Sequence, residues 1–373
     1  WMAAWWITEA APIPATSLLP IIVLPAFKVL KIKEVTSSYA DPIIFLFLGG
    51  FILARALEVN GLHRRAIAPL LGRRLPAWAA LGGFMLVAWA LSAWMSNTAT
   101  TIVLLPDLLA ALGAERGPLA KGLLLGLAYA ASIGGMATLV GTPPNMVLAG
   151  VLAQEGMEIT FTGWLAKALP YSALLLALAW LYLAAVSGFF KGKALKLPEE
   201  KFGKMRGRDW YVLAVFGLVV LGWLTSSWWK GALGLKGYVS DATVAVIGAS
   251  AVMMAPGDRR WTPVLLWEEA EKLPWGVLIL FGGGLALAKG FSSSGLSAWL
   301  AAKAHTLAGV HPLLLVLGTS ALVVLLTEFT SNTATAAITL PVLAPLARGL
   351  GLPPFTPVSY THLRAHETEA DLV

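Results

Sequence analysis

This sequence predicts an all-α polytopic membrane protein with two inverted repeats, re-entrant hairpins and a Pro-broken transmembrane helix, and three observations carry that prediction. Of its 373 residues 58% are hydrophobic and 13% charged, with a mean hydropathy of +0.75. The apolar residues gather into runs that approach or exceed the ~18 needed to span a bilayer. Lastly, the pentapeptide Ser96-Asn97-Thr98-Ala99-Thr100 returns as Ser331-Asn332-Thr333-Ala334-Thr335, and a proline follows each copy, Pro106 or Pro341. An unpaired polar group costs several kcal/mol in hydrocarbon, so both copies are expected to line a protein-enclosed or watery site, as two halves of one site.

The sixteen Trp and seven Tyr suit interfacial belts. The absence of Cys removes disulfides, Cys-ligated metals and thiol chemistry together. A net charge of +7 invites a nucleic-acid reading, but the basic residues sit in short clusters between apolar runs, as cytoplasmic loops do. Nucleic acid is therefore not an expected partner; a lipid bilayer is. No cleavable signal peptide is visible, and the chain opens on Trp1 inside an apolar run, which suggests a piece lacking its true N-terminus.

Along the chain the apolar segments read as 17–30, 42–60, 76–94, 98–115, 120–153 with a break inside it, 168–190, 209–228, 240–255, 274–290, 312–328 and 333–348. All should be helices, because lipid offers the backbone no other way to pair its polar groups. The most basic interval, 191–208, contains Lys191, Lys193, Lys196, Lys201, Lys204 and Arg206 and reads as a cytoplasmic linker. It divides a first repeat, 1–190, from a second, 209–357.

The repeat extends beyond the pentapeptide. Phe47, Gly49, Gly50, Leu53, Ala54 and Arg55 recur as Phe281, Gly283, Gly284, Leu287, Ala288 and Lys289. The offset is 234 for this block and 235 for the pentapeptide, and so constant a spacing argues for duplication, common in transporter folds. After the first block come Arg64, Arg65, Arg73 and Arg74; after the second, only Lys303 precedes the next apolar run. The positive-inside rule puts the first inside and the second outside, so the repeats are inverted, with 191–208 and the Asp258-Arg259-Arg260 turn also inside.

Each pentapeptide fits the tip of a re-entrant hairpin. Ser, Asn and Thr cap the returning helix and supply side-chain oxygens. Carbonyls freed where the first helix ends suit a hard cation, and the free N–H groups of the next helix suit an anion. The long run should break at Gly134-Gly135 and again at Gly141-Thr142-Pro143-Pro144-Asn145, where two prolines remove donors and disfavour helix before them. Thr142 then caps a second half-helix that starts at Pro143.

The doubled Ser-Asn-Thr, the Gly141-Thr142-Pro143-Pro144-Asn145 run and the Ile7-Thr8-Glu9-Ala10 opening resemble the divalent anion/sodium symporter (DASS) family over roughly residues 1–355. The resemblance implies an elevator-type transporter of the plasma membrane, usually a homodimer, coupling Na⁺ to di- or tricarboxylates, with some members handling sulfate or working as exchangers. It implies that Ser92, Ser96, Asn97 and Gly141 form a first sodium site. Thr327, Thr330 and Asn332 match the hairpin half of a second, and Asn97, Thr98, Thr142, Pro143, Asn332 and Thr333 match residues that bind or border substrate carboxylates. C4-dicarboxylates such as succinate or malate are the expected cargo.

The chain departs from the family after the second hairpin, where the family has another Pro-broken helix that completes the second sodium site. Here 358–373 turns polar and resembles translated read-through of a sequencing adaptor, so it is expected to be non-native, with further apolar segments in the true protein. Glu328 is an intramembrane acid, which makes proton coupling the same-site alternative; an anion channel is a more distant one. Glu9 reads as structural and Asp107 as interfacial. His362 and His366 have helical spacing but lack the Glu a zincin needs after its first His, and the glycine blocks lack the strand and Gly-Lys-Ser/Thr of a nucleotide loop. No nucleophile and base pair emerges, so an enzyme is not expected.

Overall fold

Facing lipid, a backbone N–H or C=O has no water to bond, so each apolar run closes its hydrogen bonds within itself as helix. The computed structural model describes residues 1–113, 117–154, 156–192, 194–197, 199, 202–257, 262–304, 309–328 and 330–351. Residues 1–190 contain α1 (Met2–Thr8), α2 (Ile13–Thr16), α3 (Leu19–Ala26), α4 (Ile32–Ser37), α5 (Pro42–Val59), α6 (Ala77–Ser92), α7 (Asn97–Leu112), α8 (Pro118–Ala137), α9 (Pro143–Gln154) and α10 (Phe161–Val186). From 207 onward come α11 (Gly207–Leu224), α12 (Ser226–Ala232), α13 (Asp241–Met254), α14 (Trp267–Ala270), α15 (Trp275–Ser293), α16 (Leu296–Ala304), α17 (Pro312–Thr327) and α18 (Asn332–Gly349). Among the described residues, the stretch from Ile32 through Val59 and helices α8, α10, α11 and α15 are long and apolar enough to cross a membrane.

The run 120–153 splits as its prolines require: α8 ends at Ala137, residues 138–142 are unwound, and Pro143 opens α9. The break expected at Gly134-Gly135 does not occur. Both glycines stay helical, and their missing side chains admit the backbone of Trp89 against Gly134. The first apolar run, 17–30, forms only α3, with a proline in its first turn and Pro25 inside it, while α2 precedes the run.

The interval read as a linker is pinned. β1 (Arg74–Leu75) and β2 (Leu195–Lys196) pair antiparallel, Arg74 opposite Lys196 and Leu75 opposite Leu195. Leu197 N–H continues the ladder to Arg73 O at 2.9 Å, and its side chain is buried with Ile67 and Phe189. Arg65 Nη2 donates to Gly203 O at 2.7 Å with its guanidinium 5.6 Å from the Phe202 ring centre. The two basic intervals thus share one face, as a common membrane side requires. Lys193 and Lys201, the Asp258-Arg259-Arg260 turn and the 358–373 tail lie outside the described residues.

The chain forms two compact units that do not coincide with the intervals 1–190 and 209–357, since each draws on both. One contains Trp1–Leu48, Pro143–Thr160 and the described chain from Pro274 onward; the other contains Gly49–Thr142 and Phe161–Leu273. In the second unit α6, α7, α8 and α10 enclose an apolar core that includes Leu81, Phe84, Leu104, Leu108, Leu123 and Leu127. Gly49 of α5 lies against α13, where a methyl on it would fall 2.6 Å from Ala245 Cβ. In the first unit Gly283 of α15, the repeat partner of Gly49, lies against Ser17, a methyl there falling 2.5 Å from Ser17 O. The repeat-related rings of Phe47 and Phe281 meet edge-to-face, 5.2 Å apart at 71°.

Two polar joints hold the second unit. Asp241 accepts Phe161 N–H at 2.8 Å and Lys230 Nζ at 2.7 Å, and its own carbonyl accepts Trp223 Nε1 at 2.9 Å. Both charged side chains are largely buried. Arg55 of α5 bonds Glu58 at 2.5 Å and Glu269 of α14 at 2.5 Å. Hydrogen bonds from Lys272 and Arg55 hold the Glu269 carboxyl below the ordinary glutamate range.

Asp241→Ala strands Lys230 and the Phe161 N–H in apolar surroundings and is expected to cost about 3–5 kcal/mol, as for other broken buried pairs, read as a lowered Tm in detergent. Because the folded-state value of Glu269 is depressed, its contribution is complete above 4.5 and is lost as pH falls further. Melting temperatures followed from about pH 5 down to about pH 3, across the carboxylate range, should therefore fall more steeply for the native chain than for Glu269→Gln. Equal slopes would show that the Arg55–Glu269 bridge contributes nothing.

Candidate functional site

Both pentapeptides start a helix directly after another has ended. At the first, α6 stops at Ser92, residues 93–96 turn, and α7 begins at Asn97. Ser96 is extended, with φ −60° and ψ 148°, and its Oγ accepts Ala99 N–H at 3.2 Å, so it is the cap its residue type predicts. Helices α6 and α7 have 16 residues each. At 1.5 Å per residue that is about 24 Å, short of the ~30 Å hydrocarbon layer and suited to a hairpin that enters and returns.

Buried polar groups converge behind this first tip. Ser92, wholly buried, donates from Oγ to Asn97 Oδ1 at 2.7 Å, which fixes the carboxamide. Thr138, in the unwound stretch, donates to the carbonyl of Ala93. Glycine is required at two points here. A methyl on Gly135 would fall 2.5 Å from Asn97 Oδ1, and one on Gly141 would fall 2.5 Å from Gly135 O and 3.1 Å from Ala93 O. The carbonyls of Ala93 and Gly135 and the amide oxygen of Asn97 are thereby gathered about the Gly135–Gly141 backbone.

Of the four residues expected in the first cation site, Ser92, Asn97 and Gly141 are linked through these contacts. The Ser96 hydroxyl is exposed and engaged as a helix cap. Thr98 is exposed on the first turn of α7; Thr142 is buried at the end of the unwound stretch and Pro143 half-buried at the start of α9. The rings of Trp94 and Phe161 stack at 6.0 Å, with Phe216 at 5.0 Å from Trp94.

The second tip has the same outline and different bonds. Helix α17 ends at Thr327, Glu328 is exposed, Phe329 lies outside the described residues, and α18 begins at Asn332. Ser331 holds the extended cap conformation, φ −60° and ψ 133°, but its side chain makes no capping bond. Thr327 Oγ1 donates to Val324 O at 2.9 Å, and Thr330 Oγ1 donates to Leu326 O at 2.9 Å. The Thr330 and Thr335 hydroxyls pair at 2.5 Å, while Asn332 and Thr333 are half-buried. In the first tip Met95 stands where the repeat has Thr330. The hydroxyl of Thr100, equivalent to Thr335, is buried without a hydrogen-bond partner among the described residues.

Sequence reasoning did not single out Gly135, Thr138 or the Ala93 carbonyl. The doubled glycine was visible but looked like a break, and a carbonyl leaves no mark in a sequence. Among the described residues no three His, Cys, Asp or Glu gather as a metal cluster. Neutral hydroxyl, amide and carbonyl oxygens suit a hard cation of low charge, and the amino ends of α7 and α18 suit an anion.

Residues 3–361 match the citrate transporter family. A sodium-dependent dicarboxylate transporter (SdcS) of Staphylococcus aureus strain USA300 is 40% identical over 381 aligned positions, covering 95% of this chain and 72% of that protein. The proteins of the same name from strains NCTC 8325 / PS 47 and COL match to the same extent.

Gly135→Ala and Gly141→Ala are each expected to push a methyl into the gathered oxygens. Both should abolish any rise in Tm produced by sodium chloride over choline chloride. A sodium-dependent shift that survives in both variants would place the cation elsewhere.

Proposed function

The chain belongs to the citrate transporter family, and on that premise we propose that it is a multi-pass plasma-membrane carrier for sodium-coupled symport of C4-dicarboxylates such as succinate or malate. The observation that carries the choice of cargo is the 40% identity over 95% of the chain to sodium-dependent dicarboxylate transporters. Sodium is assigned to Ser92, Ser96, Asn97 and Gly141 at the first tip, with Ser96 contributing through its main chain while its hydroxyl caps α7. At the second, Thr327, Thr330 and Asn332 take the same role. Asn97, Thr98, Thr142, Pro143, Asn332 and Thr333 meet or border the carboxylates.

Coupling follows from charge. A dianion facing only helix amino ends and neutral side chains is poorly compensated, because each helix supplies about half a unit charge. Cations bound first among the gathered oxygens add the missing positive charge and hold the tips in shape. Loss of sodium then releases the substrate. The meeting of Phe47 with its counterpart Phe281 supports a two-fold relation between the halves, as inverted repeats require. Movement as an elevator within a homodimer belongs to the same proposal.

Succinate uptake by the full-length protein in proteoliposomes tests the reading. Uphill accumulation is expected only with an inward sodium gradient, with citrate a poorer substrate, and Asn97→Ala or Asn332→Ala should lower sodium affinity by about 10-fold or more. Accumulation that ignores sodium but stops in Glu328→Gln would replace sodium with proton coupling, and flux that no gradient drives uphill would indicate a channel.

A further inference from the structure

Arg73 and Arg74 end the loop before α6, and Lys191 follows α10. Elsewhere such loops would move independently, but the β1–β2 pair and the buried Leu197 fasten both to the same core. Lys191 is drawn to the start of α6 because Gly192 sits against it, a methyl on Gly192 falling 3.0 Å from Ala77 Cβ. All three cationic side chains are exposed, and none has an ion-pair or hydrogen-bond partner among the described residues. Among the described residues one acid is close by, Glu199 beside Gly72, against three cations.

Three aromatic rings meet on the segments that bear these cations, Trp78 four residues after Arg74 and Phe190 directly before Lys191. Trp180 Nε1 donates to Trp78 O at 3.0 Å, their rings are 6.2 Å apart, and the Phe190 ring lies 6.3 Å from that of Trp180. Trp78 and Phe190 are exposed. Such rings, apolar in body and polar at one edge, settle at the boundary between headgroups and acyl chains. From this boundary α10 runs away with Leu174, Leu178 and Leu181 exposed. Their spacing of four and three places them on one helix face, open to hydrocarbon.

The positive-inside rule explains why basic residues occur in these loops. It does not explain why they are fastened in place with Glu199 as the one acid beside them among the described residues, on segments that carry the Trp78–Trp180–Phe190 rings and close to the exposed apolar face of α10. That combination has the order of parts of a phospholipid: phosphate, glycerol region, acyl chain. We propose that Arg73, Arg74 and Lys191, beside the Trp78–Trp180–Phe190 rings, bind the phosphate of an anionic phospholipid whose acyl chains lie along the Leu174–Leu178–Leu181 face of α10.

Delipidated protein, incubated with phosphatidylglycerol or phosphatidylcholine and weighed by native mass spectrometry, tests this. The native chain should retain several-fold more phosphatidylglycerol, and R73Q/R74Q/K191Q should lose that preference. The charge-keeping R73K/R74K/K191R should retain it, as should K28Q/K33Q/K236Q, which removes three exposed cations elsewhere. Equal retention of both lipids by the native chain would overturn the proposal, as would an undiminished preference in R73Q/R74Q/K191Q. Displacement of the lipid by millimolar inorganic phosphate would instead indicate a site for a free anion. Loss of a dimer mass with lipid retention unchanged would give this face to a second copy of the chain.

Discussion

In hydrocarbon a main chain must pair its own N–H and C=O groups, and the rest of this structure depends on that requirement. Where pairing is complete, as along α8, α10, α11 and α15, the sequence is free to be almost wholly apolar. Where it lapses, at residues 93–96, 138–142, 328 and 330–331, polar side chains appear and take up part of what is left unpaired. Ser96 accepts Ala99 N–H, and Thr138 donates to the carbonyl of Ala93. The groups that remain are what a carrier of small ions needs, because a fully satisfied backbone has nothing to offer them.

Close approach is the second constraint. The oxygens behind the first tip come together because Gly134, Gly135 and Gly141 lack side chains, so that Trp89, Asn97 and the Ala93 carbonyl can occupy that space. The same device joins repeat-related helices, Gly49 to Ala245 in one unit and Gly283 to Ser17 in the other. The two matching pentapeptides are nonetheless chemically unequal. The hydroxyl pair of Thr330 and Thr335 has no counterpart at Met95 and Thr100, and Ser331 does not repeat the capping bond of Ser96. The two matching pentapeptides thus present different oxygens.

Charge is distributed by the same logic. Asp241 with Lys230 and Arg55 with Glu58 and Glu269 are paired where helices meet, since a lone charge there would be costly. In the basic loops the cations reach water or headgroups and need no partner within the protein.

Much of this was decided by local pattern alone. The length of each apolar run, the prolines at 143 and 144 and the repeated Ser-Asn-Thr determined the helices, the split of the long run and the places where the backbone is left open, because bilayer thickness and the missing proline N–H act within a few residues. The residues proposed for the site, Ser92, Asn97, Gly141, Thr330 and Asn332 among them, came from a different source, the match of the repeated Ser-Asn-Thr and of the Gly-Thr-Pro-Pro-Asn run to a family pattern. Tertiary structure alone decided that Gly134 and Gly135 are a packing surface and not a break, that Thr138 and the Ala93 carbonyl join the first tip, and that the interval from 191 is held to Arg73 and Arg74 by a strand pair. Each of these rests on what lies opposite a residue across tens of positions of chain, and no periodicity within one segment records its neighbour.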